Sequence, residues 1–507
     1  MFENWPLLSI QIWMPMIGAI LVLFTGGDEN KHIARGIAVG TAVLAIIFCI
    51  PLYMNFDVTT YAMQFTENVS WVSAYNVNYA LGVDGISVSL ILLTTFTTLI
   101  VILAACTAIK DRVAQYMALF LIMHGMLVGV FAATDAVLFY VFWEATLIPM
   151  YLSIGMWGGS NRSYASIKFF LYTFFGSVLM LVAMLYLGMH VGSFAIEDLY
   201  FNDLGLNIQI LIFIAFFFAF AVKVPMWPVH TWLPDAHTEA PAGGSVVLAA
   251  LMLKMGIYGF LRFSMPITPL ASQYLDYVMI VLSLIAIIYI GLVALAQTDM
   301  KRLIAYSSIS HMGIATLGCF MVYVIIGNTG NYEDAFMSIE GATVQMVAHA
   351  FGSGAMFLGI GFMYDRMHTR LIGDFGGIAS KMPAFAAFFM LFAMTNVGLP
   401  GTSGFVGEFM VILSAFQGSP WIALLAATTL ILGAAYTLWM YARVFFGKVT
   451  SDKVKRTNDI QGVEWLTYSL LAAGVLILGL YPECMLRLLH STVRHLLTQS
   501  LQFSLPM

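Results

Sequence analysis

The feature that most constrains this chain is a succession of long, continuous apolar runs, each long enough to cross a bilayer. A membrane-spanning helix needs roughly 17–25 such residues, and about fourteen segments meet that length. They fall at 5–26, 34–54, 85–109, 113–133, 135–157, 163–189, 208–226, 242–265, 274–297, 301–327, 335–364, 384–415, 420–446 and 461–483. In lipid every backbone N–H and C=O must be paired, which leaves helices or a closed barrel. The runs are continuous and do not alternate, so helices are expected. Only 9% of the residues are charged, against about 25% in an ordinary soluble domain. Most of this surface therefore never meets water. The predicted fold is all-α integral membrane. Segment 54–84, rich in Thr, Asn, Tyr and Val, interrupts the pattern and predicts a short β-hairpin on one membrane face. The N-terminus lacks a basic stretch and a small-residue cleavage site, so 5–26 is read as the first span.

The basic residues orient the bundle. Fifteen of the 21 Lys and Arg lie in odd-numbered loops, among them Lys31, Lys110, Lys301, Arg302, Lys448 and Arg456. Even loops carry acids such as Glu197, Asp198, Glu333 and Asp334. By the positive-inside rule the odd loops are cytoplasmic and both termini are outside, on the periplasmic side of a bacterial inner (plasma) membrane. Arg262, Arg487 and Arg494 fall near the opposite face. Lys168, Lys223 and Lys254 remain, all within apolar helices.

Those three lysines share their depth with Glu144, Glu408, His311 and His349, with His124 and Glu340 as weaker members. An ionisable group at the bilayer centre costs at least about 2.5–3.5 kcal/mol. One buried Lys–Glu pair can be explained as a lock between two helices, and His124 alone reads best as a packed core histidine. Seven such groups on separate helices are harder to explain by stability, because buried ion pairs are weak stabilising devices. A file of titratable groups is what proton transfer requires. Two helices also look broken. Pro225 and Pro228 follow Lys223, and Gly398-Leu399-Pro400-Gly401 precedes Glu408. Interrupted spans at matching places predict two inverted five-helix repeats, spans 4–8 and 9–13, each with a broken helix. The four cysteines, Cys49, Cys106, Cys319 and Cys484, have no metal-binding spacing, so no metal site is expected.

Five stretches then carry a resemblance. FWEATLIPMYLSIGMWGG, KFFLYTFF, FAVKVPMWPVHTWLPDAHTEAPAGGSVVLAALMLKMG, AQTDMKRLIAYSSISHMG and GLPGTSGFVGEF resemble the antiporter-like membrane subunits of respiratory complex I. The family also includes Mrp-type cation/proton antiporter subunits. Its L and N branches and the Mrp proteins typically carry lysine in the broken twelfth helix, where this chain has Glu408.

The resemblance implies a proton-translocating subunit of an NADH:quinone reductase. It implies that the chain itself carries no redox centre, with FMN, iron–sulfur clusters and quinone belonging to other subunits. It implies the L and N subunits as neighbours on either side, and membrane lipids around them. Glu144 and Lys223 resemble the coupling ion pair, Lys168 its modulator and Lys254 the central relay. His311 and His349 resemble the connecting histidines and Glu408 the exit-side acid. Asp84 and the Asp235–His237 pair match family motifs at segment edges, where capping is an equal explanation.

The expected organisation is 1–112 for spans 1–3 with the outside hairpin, 113–265 and 266–447 for the two antiporter halves, and 448–507 for the last span and C-terminal tail. In the expected mechanism Glu144 holds Lys223 protonated until the pair separates. The proton then passes to Lys254, then His311 and His349, and reaches Glu408. Moving one charge against 100 mV costs about 2.3 kcal/mol, the scale on which one buried pair can act. Rival readings are an Mrp-type antiporter subunit and a haem- or quinone-binding redox subunit using His311 and His349. A stand-alone enzyme is disfavoured by the lack of a nucleotide loop, and nucleic acid by the lack of a sizeable basic surface.

Overall fold

The computed structural model describes residues 5–449 and 451–501. Among them, 12 helices are long and apolar enough to cross a membrane, from Asp28–Met54 to Val463–Leu480. Two shorter apolar helices, Leu7–Leu23 and Pro383–Val397, stand where the first and twelfth spans are predicted. Every predicted segment is thus helical, with 135–157 and 384–415 each divided into two helices. The segment at 54–84 contains two antiparallel strands, Gln64–Val72 and Val77–Val83, with Val69 opposite Tyr79. Asn76 turns between them at φ 54°, in the left-handed region that asparagine tolerates.

The helices differ in what surrounds them. Ala242–Ile267 is buried along its whole apolar stretch (100%), and Met300–Thr329 and Tyr332–Met367 nearly so (94%), against 33% for Pro420–Phe445. The outer helices present Phe24, Phe175, Leu211, Trp421 and Ile431 outward, as lipid-facing surfaces require. The inner three are wrapped in protein, so they can carry polar side chains and distorted backbone.

Distortion occurs in one of these three and in several helices around them. The Leu206–Lys223 helix ends at Lys223, and the chain turns through Pro225 and Pro228 before a second short helix, Trp232–Glu239. Pro383–Val397 stops at Gly398 (φ 81°), passes Gly401 (φ 90°), and restarts as Ser403–Gly418. The two half-helices meet closely: a Cβ on Gly404 would stand 2.0 Å from the Thr395 carbonyl oxygen. Two further irregularities were not anticipated from the sequence. Ala136–Ala145 and Leu147–Trp157 are separated at Thr146, beside Glu144; Pro149 deprives the Ala145 carbonyl of its helical donor. Ala242–Ile267 contains two π-helical stretches, Leu248–Met252 and Phe260–Ser264, on either side of Lys254.

One local motif occurs twice with opposite orientation. Asp135 caps its helix by accepting from the N–H groups of Val137 and Leu138, and the flanking backbone pairs with Phe194–Ile196. Asp299 caps the Met300–Thr329 helix through Lys301 and Arg302, and its flanks pair with Arg370–Ile372. The first motif lies on the hairpin face, where the Thr134 N–H donates to Ala80 O at 3.0 Å. The second lies on the face of the basic loops. The helices they start therefore run in opposite directions.

The C-terminal tail departs from expectation. Glu483–Leu501 is a helix with Met485, Leu488, Leu489, Val493, Leu496 and Leu497 buried, and Arg487, His490 and Arg494 exposed. It lies across the hairpin face against Gly85–Ala108 and Tyr332–Met367. Gly85 makes this approach possible. Its N–H donates to Thr492 Oγ1 at 2.9 Å, and a Cβ there would be 1.7 Å from Leu488 O. A reading based on mean hydropathy passes over such a helix, because its apolar residues occupy one face only.

Candidate functional site

The fully buried Lys254 is the centre of the site. The N–H of Leu253 reaches back five residues to Leu248 O. This π-turn leaves the Ala249 carbonyl without its usual partner, and Lys254 Nζ donates to it at 2.5 Å. The same ammonium lies 2.8 Å from His349 Nδ1. The His349 and His311 rings follow, with centroids 5.9 Å apart. His311 Nδ1 is 2.6 Å from Glu408 Oε1. Four side chains on four helices thus form one file through the protein interior.

The structure corrects the expected order: His349 neighbours Lys254, and His311 neighbours Glu408. The Tyr332–Met367 helix packs against both the Ala242–Ile267 helix and the Ser403–Gly418 helix, so the order is set by position along each helix: His349 lies level with Lys254 and His311 level with Glu408. Sequence reasoning missed the residues that line the file. Gln345 donates from Nε2 to Glu408 Oε1 at 3.0 Å, and the Tyr436 hydroxyl lies 3.5 Å from His311 Nε2. Gln345 was findable, since it stands one turn before His349 on the same helix face. Tyr436 was not, because its helix is ordinary in sequence.

At the other end, Lys223 is buried and its Nζ has no hydrogen-bond partner. The ammonium sits over the rings of Trp143 (5.4 Å) and Phe169 (5.7 Å), a placement that offers a cation the negative face of the π-system. Glu144 lies beside Tyr140 and Ser177. Among the described residues no direct ion pair joins Glu144 to Lys223, although the two lie near enough to interact electrostatically. Lys168 corrects expectation more strongly. It is not isolated in an apolar helix: Nζ is 2.7 Å from Asp235, which also holds Arg302 at 3.0 Å. It stands six residues into its helix, and its long stem reaches the loop. His230 faces Lys168 from the loop after the break, and burial together with that cation pushes its imidazole below the usual histidine range.

The remaining candidates separate cleanly. His124 bonds Thr98 Oγ1 at 3.1 Å and no member of the file. Asp84 caps the Gly85–Ala108 helix and pairs with Arg262. His237 is fully buried and stacked on Phe357 at 4.3 Å. Glu340 meets His490 of the C-terminal helix. Lys301, counted above as a loop residue, is buried and donates to Ala240 O at 2.6 Å. It lines a cavity of about 500 Å³ on the basic face together with Lys110, Asp111, Glu239, Asp365 and Arg370.

Fold and site together define a polytopic helical membrane protein with ionisable groups filed through its interior. The family described as "NADH:quinone oxidoreductase/Mrp antiporter, TM" matches residues 133–433, and "NADH-ubiquinone oxidoreductase chain 4, amino terminus" matches 10–134. The chain belongs to this family of NADH:quinone oxidoreductase membrane subunits. It is 46% identical over 506 residues to NADH-quinone oxidoreductase subunit M of Rhodobacter capsulatus, covering 97% of this chain and 96% of the relative. It is 41% identical over 490 residues to NADH-ubiquinone oxidoreductase chain 4 of Marchantia polymorpha, covering 96% of each. Among solved structures, a chain of respiratory complex I from Thermus thermophilus superposes with a TM-score of 0.87 at 31% identity, covering 97% of this chain and 99% of that one. A chain of the Mrp complex from Dietzia sp. shares the fold at 0.80 with 21% identity, covering 97% of this chain and 52% of that one.

Proposed function

We propose that this chain is the proton-translocating membrane-arm subunit of an NADH:quinone oxidoreductase, in the position held by subunit M in its relatives. The observation that carries the reading is the file Lys254–His349–His311–Glu408, with contacts of 2.8 Å and 2.6 Å at its two ends and the two imidazole rings 5.9 Å apart between them. The Mrp reading has less support: the full-length relatives at 41–46% identity are complex I subunits, and the Mrp likeness is one of fold.

In this mechanism Glu144 and Lys223 form a pair that opens and closes. When closed, the carboxylate holds the lysine proton; when open, an unpartnered buried ammonium gives it up readily. The proton passes on bound water to Lys254 and then through His349 and His311 to Glu408. The cavity beside Lys301 supplies uptake from the basic face, which we assign to the cytoplasm. Exit is to the hairpin face, which we assign to the periplasm of a bacterial inner membrane, with both termini on that side. The repeated Asp135 and Asp299 caps support two inverted halves, 113–265 and 266–447. L- and N-type subunits are the proposed neighbours. FMN, iron–sulfur clusters and quinone are assigned to other subunits, which supply the redox energy.

Lys223→Ala and Glu144→Ala test the proposal in the assembled, reconstituted complex. Both are expected to lower the protons moved per electron. An unchanged ratio in both, with assembly intact, refutes it.

A further inference from the structure

Glu340 is a buried carboxylate that the file above does not use. It lies on the Tyr332–Met367 helix, five residues nearer the hairpin face than Gln345, which is about 7.5 Å of helix rise. Gln345 holds Glu408 at 3.0 Å, while Gln345 Oε1 and Glu408 Oε2 have no hydrogen-bond partner. The Glu340 side chain is 4% exposed, and its Oε1 is 2.5 Å from His490 Nδ1. His490 belongs to the C-terminal helix and is 46% exposed. Its other nitrogen, Nε2, lies 3.8 Å from the exposed Glu483. One imidazole therefore bridges a buried carboxylate and a solvent-facing one. The other groups facing this pair are Phe336, whose ring centroid is 5.8 Å from that of His490, and the exposed Arg494, which pairs with Glu333 at 3.4 Å.

A purely anchoring role for the pair is poorly motivated. The C-terminal helix is already held by its buried apolar face and by the Gly85–Thr492 bond. A buried ionisable pair adds little to such an anchor. It does, however, create a titratable route from the interior to the surface.

We propose that Glu340 and His490 form the outlet through which the proton held at Glu408 reaches the hairpin face. The inference rests on the proton-transfer reading above. Water beside the free oxygens of Gln345 and Glu408 carries the proton from Glu408 to the Glu340 carboxylate, which becomes the neutral acid. Glu340 then passes it to Nδ1 of His490 and returns to the carboxylate. The imidazolium releases one proton from Nε2 to Glu483 or to bulk water, and water-mediated exchange then moves the remaining proton from Nδ1 to Nε2, restoring the starting tautomer. One proton enters and one leaves, with no net charge retained.

The test uses the assembled complex in liposomes, with NADH-driven proton transport read by a pH-sensitive dye. Glu340→Gln and His490→Gln are each expected to slow transport at least threefold, and Glu340→Asp to restore at least half. His490→Gln is also expected to shift the dependence of transport on pH at the hairpin face, which loss of an anchor alone does not do. If Glu408→Gln lowers transport while Glu340→Gln and His490→Gln do not, the outlet is overturned and the file stands. If all three transport normally, the proton-transfer reading itself falls. If Glu340→Gln fails to assemble, the half-exposed His490→Gln decides, and normal transport with an unshifted pH profile overturns the outlet.

Discussion

Glu408→Gln isolates charge from shape at the end of the file. The glutamine keeps a carbonyl oxygen that can accept from Gln345 Nε2, now 3.0 Å from the carboxylate, so packing is retained. The carboxylate that faces His311 at 2.6 Å is lost. For unit charges with centres about 4 Å apart, at an effective dielectric of about 20, the interaction is about 4 kcal/mol. A protonated His311 loses that stabilisation in the variant, and the amide cannot receive the proton in its place. Each ~1.36 kcal/mol on a barrier is tenfold in rate, so transfer through His311 is expected to slow about a thousandfold. The assay is NADH oxidation measured together with acidification in proteoliposomes. Either the proton-to-electron ratio falls while oxidation continues, or oxidation slows at least tenfold because redox turnover waits for the proton. A fully assembled variant with unchanged ratio and unchanged rate refutes the role given to Glu408.

Two further substitutions probe the frame around the site. Gly85→Ala places a methyl group 1.7 Å from Leu488 O; overpacking of about 1–3 kcal/mol is expected to loosen the C-terminal helix, read as faster limited proteolysis of the tail, and an unchanged cleavage rate contradicts the close packing described. Asp235→Asn removes the partner of Lys168 and Arg302, whose side chains are 18% and 43% exposed. Such part-exposed pairs contribute about 1 kcal/mol or less, so stability and proton transport are expected to stay near normal; a loss of transport as deep as that of Glu408→Gln would move Lys168 into the transfer path.

The depth of Lys254, Glu408, His311 and His349 was legible because hydropathy and charge are properties of single residues, and lipid penalises each misplaced charge independently of its neighbours. The broken helices were legible where proline and glycine mark them, at Pro225–Pro228 and Gly398–Gly401. The π-turns around Lys254 were not, since no residue type encodes them. They arise from packing among buried helices, where the Ala249 carbonyl finds the lysine as its partner.

The sequence by itself determined that the chain crosses a membrane many times, which helices carry charge at depth, and which family it resembles. Each of these follows from local composition, spacing or motif. Only the tertiary structure decided who meets whom. His349 stands by Lys254 and His311 by Glu408, Lys168 answers Asp235, and Lys223 rests on Trp143 without a direct ion pair to Glu144. It also decided that a tail of alternating apolar and charged residues is a docked helix bringing His490 to Glu340. Such pairings depend on how separate helices rotate and pack against one another, and one-dimensional periodicity carries no record of that.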